Sequence, residues 1–118
     1  MDESRPIFVQ IAEGIENDIL GGVLAEETQV PSTNEFAAFY RINPATAGKG
    51  VNLLVEARVL YKKRGIGMFV AEGARDRLMA GRRDTFQSEY VRPLVAEAAK
   101  LGITSAQLTD MITKEGAE

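Results

Sequence analysis

The chain contains no cysteine and no histidine. Lacking cysteine, it has no disulfide, no thiolate nucleophile and no thiol metal site, a composition that fits a reducing compartment. Lacking histidine, it is without the usual general base near neutral pH and the commonest metal ligand. An enzyme built from this chain would have to work with carboxylates, Lys, Tyr or Ser/Thr alone, and no catalytic constellation of these is present. The adjacent acids Glu26 and Glu27 fall in a loop-like stretch and are expected to be solvated. Enzymatic activity, a metal site and a cofactor are therefore not expected. No apolar run approaches the ~20 residues needed to cross a bilayer. The opening MDESRPIF has acids where a secretory signal has bases, so the chain is expected to stay in the cytoplasm.

Positive charge is scarce overall, with 14 Lys and Arg against 17 Asp and Glu, a net charge of −3. The deficit is uneven. Residues 1–40 carry Arg5 alone against eight acids, a balance of −7. Residues 41–64 carry Arg41, Lys49, Arg58, Lys62, Lys63 and Arg64 against Glu56, a balance of +5, and the remainder sits at −1. Attraction to phosphate acts over a Debye length of roughly 8–10 Å, so the local balance governs and the net charge does not.

That basic segment is also the best-patterned part of the chain. Asn43 supplies a capping oxygen and Pro44 suits the first helical position. Val51, Leu54, Val55 and Val59 then recur at helical spacing. A short β-type run, the turn Lys63-Arg64-Gly65-Ile66-Gly67 and a second run, Met68-Phe69-Val70, predict a basic hairpin. Upstream, Ile7, Ile11, Ile15, Ile19 and Leu20 predict an amphipathic helix from Pro6, ended by Gly21-Gly22. Val23 to Val30 reads as a short connection with room for a brief strand near its end. Ser32 and Glu35 fit a capping box for a helix carrying Phe36, Ala37, Phe39 and Tyr40 and stopping near Arg41. Two short helices joined by about three residues form a helix-turn-helix, and the hairpin makes it winged. Gly48 and Gly50 weaken the second helix by roughly 1 kcal/mol each relative to Ala. They serve either a close backbone approach to DNA or tight packing.

Beyond Ala71 the pattern predicts one long helix, or two collinear pieces, to Leu101. Pro93 is expected to kink it near residues 89–93 and Gly102 to close it. Thr104 or Ser105 caps a last helix through Lys114. The apolar faces of these helices need a partner, and a second copy of the chain is the economical one. An interface of about 800 Å² per partner is enough for a stable dimer. The predicted architecture is mainly α with a small β wing: a winged helix-turn-helix over residues 5–72, with recognition helix 43–58 and wing 59–71, followed by a two-helix dimerisation unit over 73–118.

These residues together resemble the GntR family of bacterial transcription regulators, and in particular its short YtrA-type subfamily. Pro6-Ile7-Phe8-Val9-Gln10-Ile11 is similar to the family's first-helix opening, and Val30-Pro31-Ser32 stands where the family has Leu-Pro-Ser. Asn43-Pro44-Ala45-Thr46 is similar to the subfamily's Asn-Pro-Asn-Thr, and Arg64 to Val70 to its wing, Arg-Gly-x-Gly-x-Phe-Val. Ala99 to Thr104 is similar to the helical dimerisation unit. The order and spacing of these motifs are more specific than any one of them. The resemblance implies a bacterial, nucleoid-associated repressor, often of operons encoding ABC-type transporters. It also shows departures. Asn34 replaces a usual arginine, Glu27 stands where a turn glycine is common, and Ala45, Ala47 and Gly48 replace larger or more polar residues.

Candidate DNA-contacting residues are Ser32, Thr33 and Asn34 at one helix start, and Asn43, Ala45, Thr46 and Lys49 in the next helix. Lys62, Lys63, Arg64, Gly65 and Gly67 are the candidates in the wing. Asn43 is expected chiefly to cap, Thr46 to contact phosphate or base, and Ala45 to meet a thymine methyl. Strand alternation points Lys62 and Arg64 one way and Lys63 the other. Dimerisation candidates are Phe86, Tyr90, Leu94, Ala98, Leu101, Leu108 and Met111. The expected partners are double-stranded DNA with a palindromic operator and a second copy of the chain. No small-molecule effector is identifiable from the sequence. The alternative is a winged-helix module that binds an acidic protein through the same basic face.

Overall fold

The computed structural model describes residues 4–116. The acidic opening read above and the end of the expected second unit extend into residues 1–3 and 117–118, outside the described residues. Helix α1 spans Ile7–Leu20 with Pro6 at its head, and Ile11, Ile15 and Ile19 form its buried stripe. Ile7, in the first turn, stays exposed. The helix stops as the sequence predicts: Gly22 takes a left-handed φ of 82°, and the Leu24 N–H reaches back to the Asp18 carbonyl at 3.0 Å. Helix α2 (Thr33–Tyr40) opens on the expected capping box. The Ser32 hydroxyl accepts from Glu35 N–H at 3.1 Å, and the Glu35 carboxylate accepts from Ser32 N–H at 2.9 Å.

Helix α3 (Pro44–Glu56) follows after the turn at Arg41, which sits in the left-handed region at φ 57°. Its buried residues Ala47, Val51 and Leu54 face the α1 stripe, Phe36 and Ala37. Gly50 lies where α1 and α3 cross. A Cβ there would stand 2.7 Å from the Phe8 carbonyl oxygen and 3.3 Å from Ile11. Of the two roles open for these glycines, packing therefore accounts for Gly50. Gly48 has no such constraint, its nearest neighbour being a Thr33 methyl at 3.7 Å.

Strands β1 (Leu60–Lys63) and β2 (Gly67–Val70) pair antiparallel, Leu60 opposite Val70 and Lys63 opposite Gly67. The brief strand allowed for near Val30 is present in rudiment. Gln29 bridges Phe69, and backbone bonds join Glu27 N–H to Val70, Val70 N–H to Thr28 and Val30 N–H to Met68 at 2.8–3.0 Å. Glu27 occupies the turn-glycine position in a left-handed conformation, φ 65°, and its carboxylate accepts the Tyr61 hydroxyl at 2.5 Å. Glu26 accepts from the Gly73 and Arg75 amides at 2.8 and 3.3 Å, capping the next helix. Neither acid is merely solvated as the sequence had suggested, because partners 34 to 49 residues away reach both.

Helix α4 (Ala74–Phe86) begins in the first compact unit, which runs through Ala80, and continues into the second. Ala74 and Leu78 belong to the first unit's core, so its packing extends past the wing strands. In the second unit the helix does not simply kink before Pro93. It widens into one π turn, Gln87–Val91, whose end has Arg92 N–H bonded to the Gln87 carbonyl five residues back. Proline lacks the N–H and crowds the carbonyl four residues earlier, and a widened turn absorbs both. Helix α5 (Arg92–Lys100) ends on Gly102 at φ 71°, with Ile103 N–H bonded to Ala98 and Gly102 N–H to Ala99, a Schellman closure. Thr104 then caps α6 (Ser105–Gly116) through a reciprocal pair with Gln107, which settles the choice between Thr104 and Ser105.

Candidate nucleic-acid interface

The start of α3 is fixed before any ligand arrives. Asn43 Oδ1 accepts the Ala45 N–H at 2.7 Å, and Pro44 follows at the first helical position. The Asn43 side-chain oxygen is thus committed to capping. Ala45 is exposed beside it, Thr46 is half-buried, and Lys49, one turn on, is exposed with its ammonium 5.9 Å from the Phe8 ring centroid. That distance is within the reach of a cation–π contact, which steadies the side chain without neutralising it.

The start of α2 lies alongside. Thr33, half-buried, comes within contact distance of the Gly48 position, so the first turn of α2 borders the first half of α3. Ser32 is occupied in its capping box, while Asn34 is exposed. Two hydrogen bonds from Ser32, the N–H first and the hydroxyl second, hold the Glu35 carboxyl below its ordinary value. That negative charge is tied to the helix terminus it neutralises.

In the wing, Lys62 and Lys63 alternate across β1 as expected, while Arg64 lies in the turn beyond the strand, where alternation does not reach. Lys63 shares a face with Tyr61 and Phe69, and its ammonium lies 4.2 Å from the Phe69 ring centroid and 5.9 Å from that of Tyr61. Lys62 is opposite Met68, and Lys62, Lys63, Arg64 and Gly65 are all exposed. Gly65 (φ 77°) and Gly67 (φ 145°) take backbone conformations that a side chain would strain, so the tip turns tightly. Gly67 is half-buried because the Gln29 amide rests on it. All twelve residues proposed from sequence for DNA contact lie in the first unit, and none is buried.

Sequence reading overlooked two residues at this site. Gln29 reaches the Ile66 carbonyl at 3.1 Å across 37 positions, and no local pattern signals that. Arg41, exposed in the turn between α2 and α3, was visible only as charge. Of the dimerisation candidates in the second unit, Phe86, Tyr90, Leu94, Leu101 and Met111 are exposed and Leu108 is half-buried. Ala98 differs. At 5% exposure it is already covered within the chain, at the end of α5 where Ile103 folds back to its carbonyl.

Comparison with known proteins supplies the context. Residues 8–70 match the family model described as bacterial regulatory proteins, gntR family. The chain is 27% identical over 115 residues to the HTH-type transcriptional repressor YtrA of Bacillus subtilis, covering 98% of this chain and 88% of that protein. It superposes on a GntR-family transcriptional regulator from Bacteroides thetaiotaomicron with a TM-score of 0.72 at 35% identity, covering 92% of this chain and 94% of that one. The AraR DNA-binding domain, solved in complex with operator ORR3, matches at a TM-score of 0.52 and 30% identity over 54% of this chain and 77% of that one. A helix-turn-helix with a two-stranded wing, the family motifs in order and the matched span 8–70 agree: this chain belongs to the GntR family of bacterial DNA-binding transcriptional regulators.

Proposed function

We propose that the chain acts as a homodimeric repressor that reads a palindromic operator, each copy docking α3 and the wing on one half-site. The observation that carries this reading is the preset, exposed start of α3 and a glycine-tipped wing bearing exposed Lys62, Lys63 and Arg64, with these groups inside residues 41–64, whose balance is +5. Phosphate contacts from the start of α2, Lys49 and the wing supply affinity, and a few contacts from Ala45 and Thr46 supply sequence preference. Asn34, in place of arginine, offers a hydrogen bond without a charge, so one phosphate or guanine contact is weaker here.

Selection of bound duplexes from fragmented source genome, followed by a salt titration, tests the proposal. Arg64→Ala is expected to weaken binding and lower the slope of log affinity on log salt by about 1. Thr46→Val is expected to change the order of preferred sequences while leaving that slope alone. Wild-type affinity and preference in both variants would sink the assignment. If low salt retains no duplex at all, the basic face serves an acidic protein partner instead.

A further inference from the structure

We infer that Gln29 is a positioning residue for the wing, holding the tip in the conformation that meets DNA. The inference deepens the DNA-binding reading and rests on it. Three contacts converge on this side chain and its backbone. Gln29 Nε2 donates to the Ile66 carbonyl at 3.1 Å, from outside the hairpin. The amide nitrogen also lies against Gly67, where a Cβ would come within 2.5 Å of Nε2, so the glycine and the glutamine are fitted to each other. The Gln29 backbone bridges Phe69, the ring beneath the Lys63 ammonium.

The physical need is clear from the tip. Ile66 stands between two glycines with positive φ, and within the hairpin its backbone is tied by one bond, N–H to the Lys63 carbonyl at 3.0 Å. A loop with that freedom would lose entropy each time it docked, and a tie made in advance removes part of that cost. The tie also fixes a distance. Gln29 is followed by buried Val30, Pro31 and the Ser32 cap of α2, so one short segment anchors both the wing tip and the neighbouring helix start. The bond is exposed, and such a bond contributes modestly. Its loss is therefore read in binding and hardly in folding.

The test is a double-mutant cycle on the full chain, using a duplex that the wild-type chain selects from a randomised library. Gln29→Met removes the donor at nearly constant length, and Gln29→Asn withdraws the amide by one methylene as an independent variant. Each is expected to weaken binding about three- to tenfold, with at most a small fall in the thermal midpoint. In a wing-stripped background, Lys62→Ala with Arg64→Ala, the same substitutions are expected to cost little, because the tip they position no longer contributes. Unchanged affinity in both variants, or the same fold-loss in both backgrounds, overturns the proposal; the second result would mean that Gln29 acts independently of the wing. If stripping the wing leaves affinity and salt slope untouched, the wing-on-DNA reading itself fails, and this inference falls with it.

Discussion

At the scale of single residues, the two glycines of α3 show how one residue type serves opposite ends. Gly50 is small because the α1 backbone passes over it, and Gly50→Ala puts a methyl 2.7 Å from the Phe8 carbonyl. Overpacking of this kind costs about 1–3 kcal/mol. Gly48→Ala meets nothing closer than 3.7 Å and gains up to about 1 kcal/mol of helix propensity. Thermal unfolding of the two variants should therefore move in opposite directions from wild type, and two shifts of the same sign would contradict the packing account. Glu35 and Tyr61 make a second pair of opposites. The Ser32 hydrogen bonds lower the Glu35 carboxyl, so its support for α2 is present above its ordinary 4.5 and disappears as pH falls through the depressed value. The hydrogen bond to the Glu27 carboxylate raises the Tyr61 phenol, so its contribution is present below 10.0 and disappears as pH rises through the raised value. In melting curves, Glu35→Ala should lie below wild type at pH 7 and converge on it once the pH has fallen below the depressed carboxyl value. Tyr61→Phe should converge with wild type only in strong alkali.

At the scale of elements, the structure turns loops into fasteners. Glu26, in the connection after α1, caps α4 through the Gly73 and Arg75 amides. Arg75 Nε donates to the Leu20 carbonyl at 3.3 Å, and Arg77 donates to the Arg58 and Glu72 carbonyls at 2.6 and 3.0 Å. The first turn of α4 is thereby fixed to the end of α1 and the turn before the wing, all inside the first unit. Glu26→Ala leaves two amides at the head of α4 without their acceptor and is expected to cost about 1 kcal/mol, as loss of a helix cap does. Amide hydrogen exchange is expected to speed up at Gly73 and Arg75 while Val51 and Leu54 keep their protection. Uniform loss across the unit would show that Glu26 does more than cap. The helices and the caps of α2, α3 and α6 were legible from sequence because they depend on neighbours within four residues: Ser32 with Glu35, Asn43 with Pro44, Thr104 with Gln107. The π turn was half legible. Pro93 announced a disturbance, but whether a helix bends or widens depends on which carbonyls can find another donor.

At the scale of the whole molecule, the second unit leaves Phe86, Tyr90, Leu94, Leu101 and Met111 exposed, with Tyr90 and Leu101 at 63% and 65%. A set of large apolar groups on so short a unit is costly in water and suits burial against a second copy. In sedimentation equilibrium the wild-type chain is expected at the mass of two chains, and Leu94→Asp at that of one. Because two linked half-site contacts reinforce each other, the same substitution should weaken operator binding by at least tenfold while a single half-site binds unchanged. A monomeric wild type that still binds a full palindrome tightly would rule out the twofold reading.

Local sequence alone was enough for the succession of helices, the hairpin and its glycine tip, the +5 balance of residues 41–64, and the family. Each of these is set by local periodicity, capping chemistry or a motif of a few residues. It took the folded chain to show that Gly50 is a packing residue, that Ala98 is covered within its own chain, that Glu26 and Glu27 are bound, and that Gln29 reaches the wing. Those outcomes depend on which backbone passes within a few ångströms of a given atom. Side chains 34 to 49 positions apart leave no periodic trace of meeting, so their pairing exists only once the core has brought α1, α3 and the sheet together.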